Sequence, residues 1–253
     1  MIFNLPRPSF GPSSWDFDGS SLFEPDGSGF ELALLSSGTL TLRVGIPNAD
    51  VYLINAGAHG SDGGRTGDIS GGSGGSGGRH VLLSNVSVPA GTYAVQIGTD
   101  GSVETALGSL FSVPANAASQ AGGVGGASGY DGNVTPGAGA GGLEPWADGP
   151  SLCLPGVLFG PGGGGGGSHD QRGVNVHDAG GAGGAGGTMD GATVSGGTGG
   201  SLSSVNGKAA TAPGGGGGGG MGYTTSGPSY HSGLGGAGAS GAILIRKHKE
   251  VSP

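Results

Sequence analysis

Charge is scarce in this chain: Asp, Glu, Lys and Arg together make up 10% of 253 residues. Basic residues are the scarcer kind, nine Lys and Arg against seventeen Asp and Glu, for a formal net charge of −8. With no basic patch to release counterions, nucleic acid is excluded as a partner. The one basic cluster, Arg246-Lys247-His248-Lys249, is short and terminal. Low charge also speaks against disorder, whose usual signature is high net charge with few apolar groups. Cysteine is nearly absent, and Cys153 alone leaves no intramolecular disulfide framework; it is expected as a small buried hydrophobe or a loop thiol. No apolar run approaches the roughly 20 residues that span a bilayer. The opening Met1-Ile2-Phe3-Asn4-Leu5-Pro6-Arg7-Pro8 has no basic stretch followed by an apolar core, so neither a signal peptide nor membrane insertion is expected. Nowhere does a two-turn amphipathic stripe appear, so essentially no α-helix is expected.

What the chain has instead is glycine, 67 of 253 residues, against a usual share of about 7%. Gly180-Gly181-Ala182-Gly183-Gly184-Ala185-Gly186-Gly187 keeps a strict three-residue beat, and Gly71-Gly72-Ser73-Gly74-Gly75-Ser76-Gly77-Gly78 repeats it upstream. Residues 162–167 and 214–220 are pure polyglycine. Three is the period of the extended left-handed helix that makes no hydrogen bonds along its own axis, so its backbone groups must pair sideways. Without Cβ atoms such helices can pack closely enough to do so. At a rise of about 3.1 Å per residue, nine residues cross about 28 Å, the width of a small domain. Flexible linkers are the ordinary reading of glycine-rich sequence. These tracts, however, are short and punctuated, as by Tyr130-Asp131-Gly132-Asn133 and Gly156-Val157-Leu158-Phe159.

Strand patterns frame the glycine. Phe30, Leu32 and Leu34 alternate, then Leu40, Leu42 and Val44, then Val51 and Leu53, then Tyr93, Val95 and Ile97. Residues 107–113 form a further short candidate, and Ala242-Ile243-Leu244-Ile245 reads as a closing strand that returns to the same sheet. The expected fold is mainly β with irregular structure: a small β-sheet base plus a bundle of polyglycine II helices. Four regions follow: an extended arm over 1–29, a strand-rich base over 30–118, a glycine-helix body over 119–241, and a closing strand with basic tail over 242–253. The arm, studded with Phe3, Phe10, Trp15, Phe17 and Phe23, either folds back over its own domain or anchors on a partner subunit.

Val86-Ser87-Val88-Pro89-Ala90-Gly91-Thr92-Tyr93-Ala94-Val95-Gln96-Ile97-Gly98 resembles the strand–turn–strand signature of the glycine-rich domain of bacteriophage tail proteins. There, a hairpin of this kind follows a glycine tract and precedes a glycine-rich body. That body closes on glycine, an aliphatic strand and a basic residue, as Gly241-Ala242-Ile243-Leu244-Ile245-Arg246 does here. The resemblance covers about residues 38–247 and departs from the pattern over 99–118, where a non-glycine stretch intervenes. The family is similar in turn to tail-tip adhesins, whose polyglycine helices carry variable loops toward a bacterial receptor. The resemblance therefore implies a non-enzymatic virion protein, displayed on the particle surface, with other virion proteins and a bacterial surface receptor as partners and with oligomers allowed. A capsid decoration or tail-accessory role without a receptor is the alternative, since fold alone does not fix function.

Chemistry-bearing motifs are weak. G-x-G-x-x-G occurs by composition alone, and Gly207-Lys208 continues to Ala209 where a phosphate loop needs Ser or Thr. His169-Asp170 and His177-Asp178 offer two imidazoles and two carboxylates, which could ligate a metal or simply bond within a polar turn. No serine sits in a G-x-S-x-G turn after a strand. No catalytic site, metal or cofactor is expected. Loops on a rigid scaffold usually carry binding, and Tyr and Trp dominate contact surfaces. Expected receptor contacts are therefore Tyr130, Trp146, Tyr223, Tyr230 and His231, each placed at a loop tip. A flat Thr or Ala face of the antifreeze kind is not provided by such irregular punctuation.

Overall fold

The computed structural model describes residues 11–26, 29–66, 68–99, 103–113, 135–169, 179–224 and 230–247. It is mainly β, and no α-helix occurs among the described residues. The first strands are β1 (Trp15–Phe17), β2 (Ser21–Asp26), β3 (Gly29–Leu34), β4 (Gly38–Leu42), β5 (Ile46–Ile54), β6 (Gly64–Thr66), β7 (Asp68–Ser70), β8 (His80–Val88), β9 (Gly91–Gln96), β10 (Ala106–Leu107) and β11 (Phe111–Ser112). After a long interval come β12 (Ser168–His169), β13 (Ala185–Met189), β14 (Ala192–Ser195), β15 (Gly222–Thr224), β16 (Tyr230–Ser232) and β17 (Ala242–Lys247).

Two five-stranded sheets, ordered β1-β4-β9-β10-β11 and β2-β3-β17-β5-β8, share one apolar core. The alternation read in the sequence does this directly. Phe30, Leu32 and Leu34 on one sheet face Leu40, Leu42 and Val95 on the other, with Ile245 and Ile243 of the closing strand beside Leu32 and Leu34 in the first sheet. β17 runs antiparallel to both β3 and β5, so the last described strand completes the sheet begun by β2 and β3. The Pro89-Ala90 turn is fastened by Tyr93, whose hydroxyl donates to the Pro89 carbonyl at 2.7 Å.

Residues 15–26, read from the sequence as part of an extended arm, lie on the chain's own domain as strands. β1 pairs with β4 and β2 with β3, so each sheet gains a strand. Trp15, Phe17 and Phe23 pack against the core, and the Phe23 and Phe30 rings lie 5.8 Å apart. Prolines and serines hid the pattern: β2 is an edge strand, where Pro25 is tolerated because one side of an edge needs no ladder bonds.

The glycine body grows from the sandwich. Among the described residues the chain crosses it as segments 55–63, 71–79, 135–142, 160–167, 179–184, 196–200, 205–212, 214–221 and 233–241, joined laterally by backbone hydrogen bonds. Segments 55–63 and 71–79 come from within the region expected as base. Every third residue of a segment faces the same neighbour. Along 214–221 the amides of Gly216 and Gly219 reach Pro161 and Gly164, those of Gly217 and Gly220 reach Ala58 and Ser61, and those of Gly218 and Met221 reach Lys208 and Val205. The carbonyls of Gly217 and Gly220 accept from Gly75 and Gly72, those of Gly218 and Met221 from Gly236 and Gly233, and those of Gly216 and Gly219 from Gly197 and Gly200. This segment therefore has six neighbours, and residues 214–221 are buried throughout.

Segment 160–167 is enclosed in a similar way, bonding to 71–79, 135–142, 179–184, 196–200 and 214–221. These two enclosed segments are the two pure polyglycine tracts. A Cβ at Gly217 would strike the Gly236 carbonyl, at Gly219 the Gly72 carbonyl, and at Gly164 the Gly181 carbonyl. Segments on the outside have one free side, and that side is where the third residue of each repeat points. Ser73, Ser76 and Arg79 are exposed while Gly72, Gly75 and Gly78 are buried, and Ala179, Ala182 and Ala185 are likewise exposed. The Gly-Gly-Xaa beat is thus the sequence of an outer segment and unbroken glycine that of an inner one.

Candidate functional site

The chain's path gives the glycine body two ends. Segments 55–63 and 71–79 leave β5 and return to β8, so the hairpin β6–β7 between them lies at the end away from the sandwich. Parallel and antiparallel bonds between segments place the Ser201–Ser204 turn and the strands β12, β15 and β16 at that same end. These three short strands form a small sheet ordered β12-β15-β16, at the outer ends of segments 160–167, 214–221 and 233–241.

Pairing across this sheet sets His169, Tyr223 and His231 in one row. Side chains alternate between the faces of a strand. Ser168, Gly222 and Thr224 therefore turn inward and are buried, while His169 and Tyr223 are half-buried and His231 is exposed. The Tyr223 and His231 rings stack with centroids 5.3 Å apart and planes inclined by 23°. Tyr230 pairs with Thr224 and is half-buried, and burial raises the pKa of its hydroxyl. Leu202 and Leu234, 47% and 60% exposed, are the most exposed large apolar side chains among the described residues. Leu202 caps the Ser201–Ser204 turn, and Leu234 donates its amide to Asn206 Oδ1 at 2.9 Å, two residues beyond that turn. Phenol, imidazole and leucine thus share one end of the molecule.

Of the residues expected at loop tips, Tyr223, Tyr230 and His231 come together in this way. Tyr130 lies outside the described residues. Trp146 is a correction: it is 3% exposed and belongs to a cap, residues 143–159, that packs on the outer face of the β2-β3-β17-β5-β8 sheet at the opposite end of the glycine body. Its ring meets Tyr52 edge-on at 6.2 Å, and its Nε1 donates to Glu31 Oε2 at 2.9 Å. The Arg246 guanidinium lies 4.4 Å over the indole and pairs with Asp148 at 2.5 Å. Tryptophan in a proline-framed turn is therefore a core anchor here.

Glu31 explains why. It sits in β3 on the face away from the sandwich core and is fully buried. Its two carboxylate oxygens accept from Trp146 Nε1, the Ser151 hydroxyl, the Leu152 amide at 3.1 Å and the Cys153 amide at 3.2 Å. A buried charge is tolerable only when so satisfied. Cys153 donates its thiol to the Glu31 carbonyl, and burial together with the neighbouring carboxylate pushes its pKa up to about 12. A thiol held this far from the thiolate is not a nucleophile.

His169 joins the distal row, and its sequence partners Asp170, His177 and Asp178 lie outside the described residues. Among the described residues no group of three or more His, Cys, Asp or Glu could hold a metal ion. Sequence reasoning missed the alignment of His169 with Tyr223 and the burial of Glu31; both depend on which strands meet. No protein-family model matches the chain, and no curated protein matches it in sequence. No helix is long and apolar enough to cross a membrane among the described residues.

Proposed function

We propose that the glycine segments are polyglycine II helices packed as a bundle, and that the bundle carries a recognition surface at its far end. The three-residue rule of facing supports the first part, because a helix of three residues per turn returns to the same neighbour at every third position. The distal row of His169, Tyr223 and His231 carries the second part: it sets aromatic and imidazole side chains, half-buried to exposed, on a small sheet rooted in helices that cannot bend aside. Amphipathic aromatics held rigidly lose little entropy on contact, which is how paratopes achieve affinity.

The protein, on this reading, is a non-enzymatic bacteriophage virion component at a tail tip or tail fibre. Its distal end meets a bacterial surface receptor, and its sandwich end faces other virion proteins. The resemblance of the Val86–Gly98 hairpin and the Gly241–Arg246 closing strand to tail glycine-rich domains supports the virion setting. The test is saturable binding of the purified chain to host cells. Tyr223→Ala with His231→Ala is expected to lower cell-bound protein at least tenfold while the thermal midpoint stays in place. Phage that carry both substitutions and adsorb normally would overturn the receptor role and leave a structural decoration as the remaining reading.

A further inference from the structure

We draw no further inference here: the strongest candidate, the groove of about 310 Å³ between the Trp146–Asp148 turn and the outward side chains of Leu82 and Ser84, lined also by Asp50 and Arg246, is an acidic cleft whose unpartnered donor, Arg246 Nε, is enclosed beyond a ligand's reach, so nothing in the structure shows what occupies it.

Discussion

At the scale of single residues, glycine here is a packing requirement. Gly217 stands in a segment with six neighbours, and a methyl group there would overlap the Gly236 carbonyl. Gly217→Ala is therefore expected to cost more than about 4 kcal/mol, the level reserved for overpacking with lost hydrogen bonds. Ala182→Ser, on an exposed third position, should stay within about 0.5 kcal/mol. Thermal melts of both variants check the pair, and equal melts would contradict the inner–outer rule. Glu31 makes the opposite demand, a buried charge that four donors satisfy. Removing it in Glu31→Ala strands those donors and should destabilise by roughly 3–5 kcal/mol, whereas Trp146→Phe removes one donor and should cost roughly 1–3 kcal/mol. Denaturant titration would rank them, and a neutral Glu31→Ala would show that the cap is not fastened there. Cys153 supplies a pH test. Its folded thiol is raised to about 12, above the ordinary value of about 8.5, so the folded state holds the neutral form. That contribution is complete below about pH 8.5 and fades as pH rises toward 12. At pH 8 a thiol reagent should label Cys153 only after unfolding; rapid labelling of the native chain would refute its burial.

Elements differ in how plainly the sequence announced them. The strands β3, β4, β5, β9 and β17 were legible because their apolar alternation matches a face of one core, Leu32, Leu40, Leu53, Val95 and Ile243 among them. β1 and β2 were not, since Trp15, Phe17 and Phe23 are spaced among Ser, Asp and Pro at sheet edges where pattern is weak. Glu31 falls on the off-face of a good alternation, the side that pattern alone leaves to solvent. Only the cap over 143–159 reverses that, and its docking brings together residues more than a hundred positions apart. Glycine tracts announced their period but not their neighbours. Hydrogen exchange provides the test at this scale: amides of residues 162–167 and 214–220, each bonded to a different segment, should exchange at the slow, global rate. Exchange at random-coil rates would return the tracts to the status of linkers.

Among the described residues the molecule is a β-sandwich from which nine glycine segments run out and back, with the two apolar core clusters at one end and the His169–Tyr223–His231 row at the other. Stability and recognition are thereby separated in space. Leu234→Ser, on the exposed side of segment 233–241, should leave the melting temperature within a few degrees, as surface substitutions do; a fall as large as that of Gly217→Ala would place Leu234 inside an unseen contact. The sequence by itself determined the strand class, the lack of α-helix among the described residues, and the choice between inner and outer glycine segments, because a methyl group either has room beside a neighbouring carbonyl or has none, and that choice is written residue by residue. Tertiary structure alone decided which aromatics are displayed. Trp146 and Tyr223 are both aromatic residues between glycine tracts, yet one lands on Glu31 beneath Arg246 and the other beside His231 in the distal row. Long-range pairing sets those environments, and local composition carries no record of it.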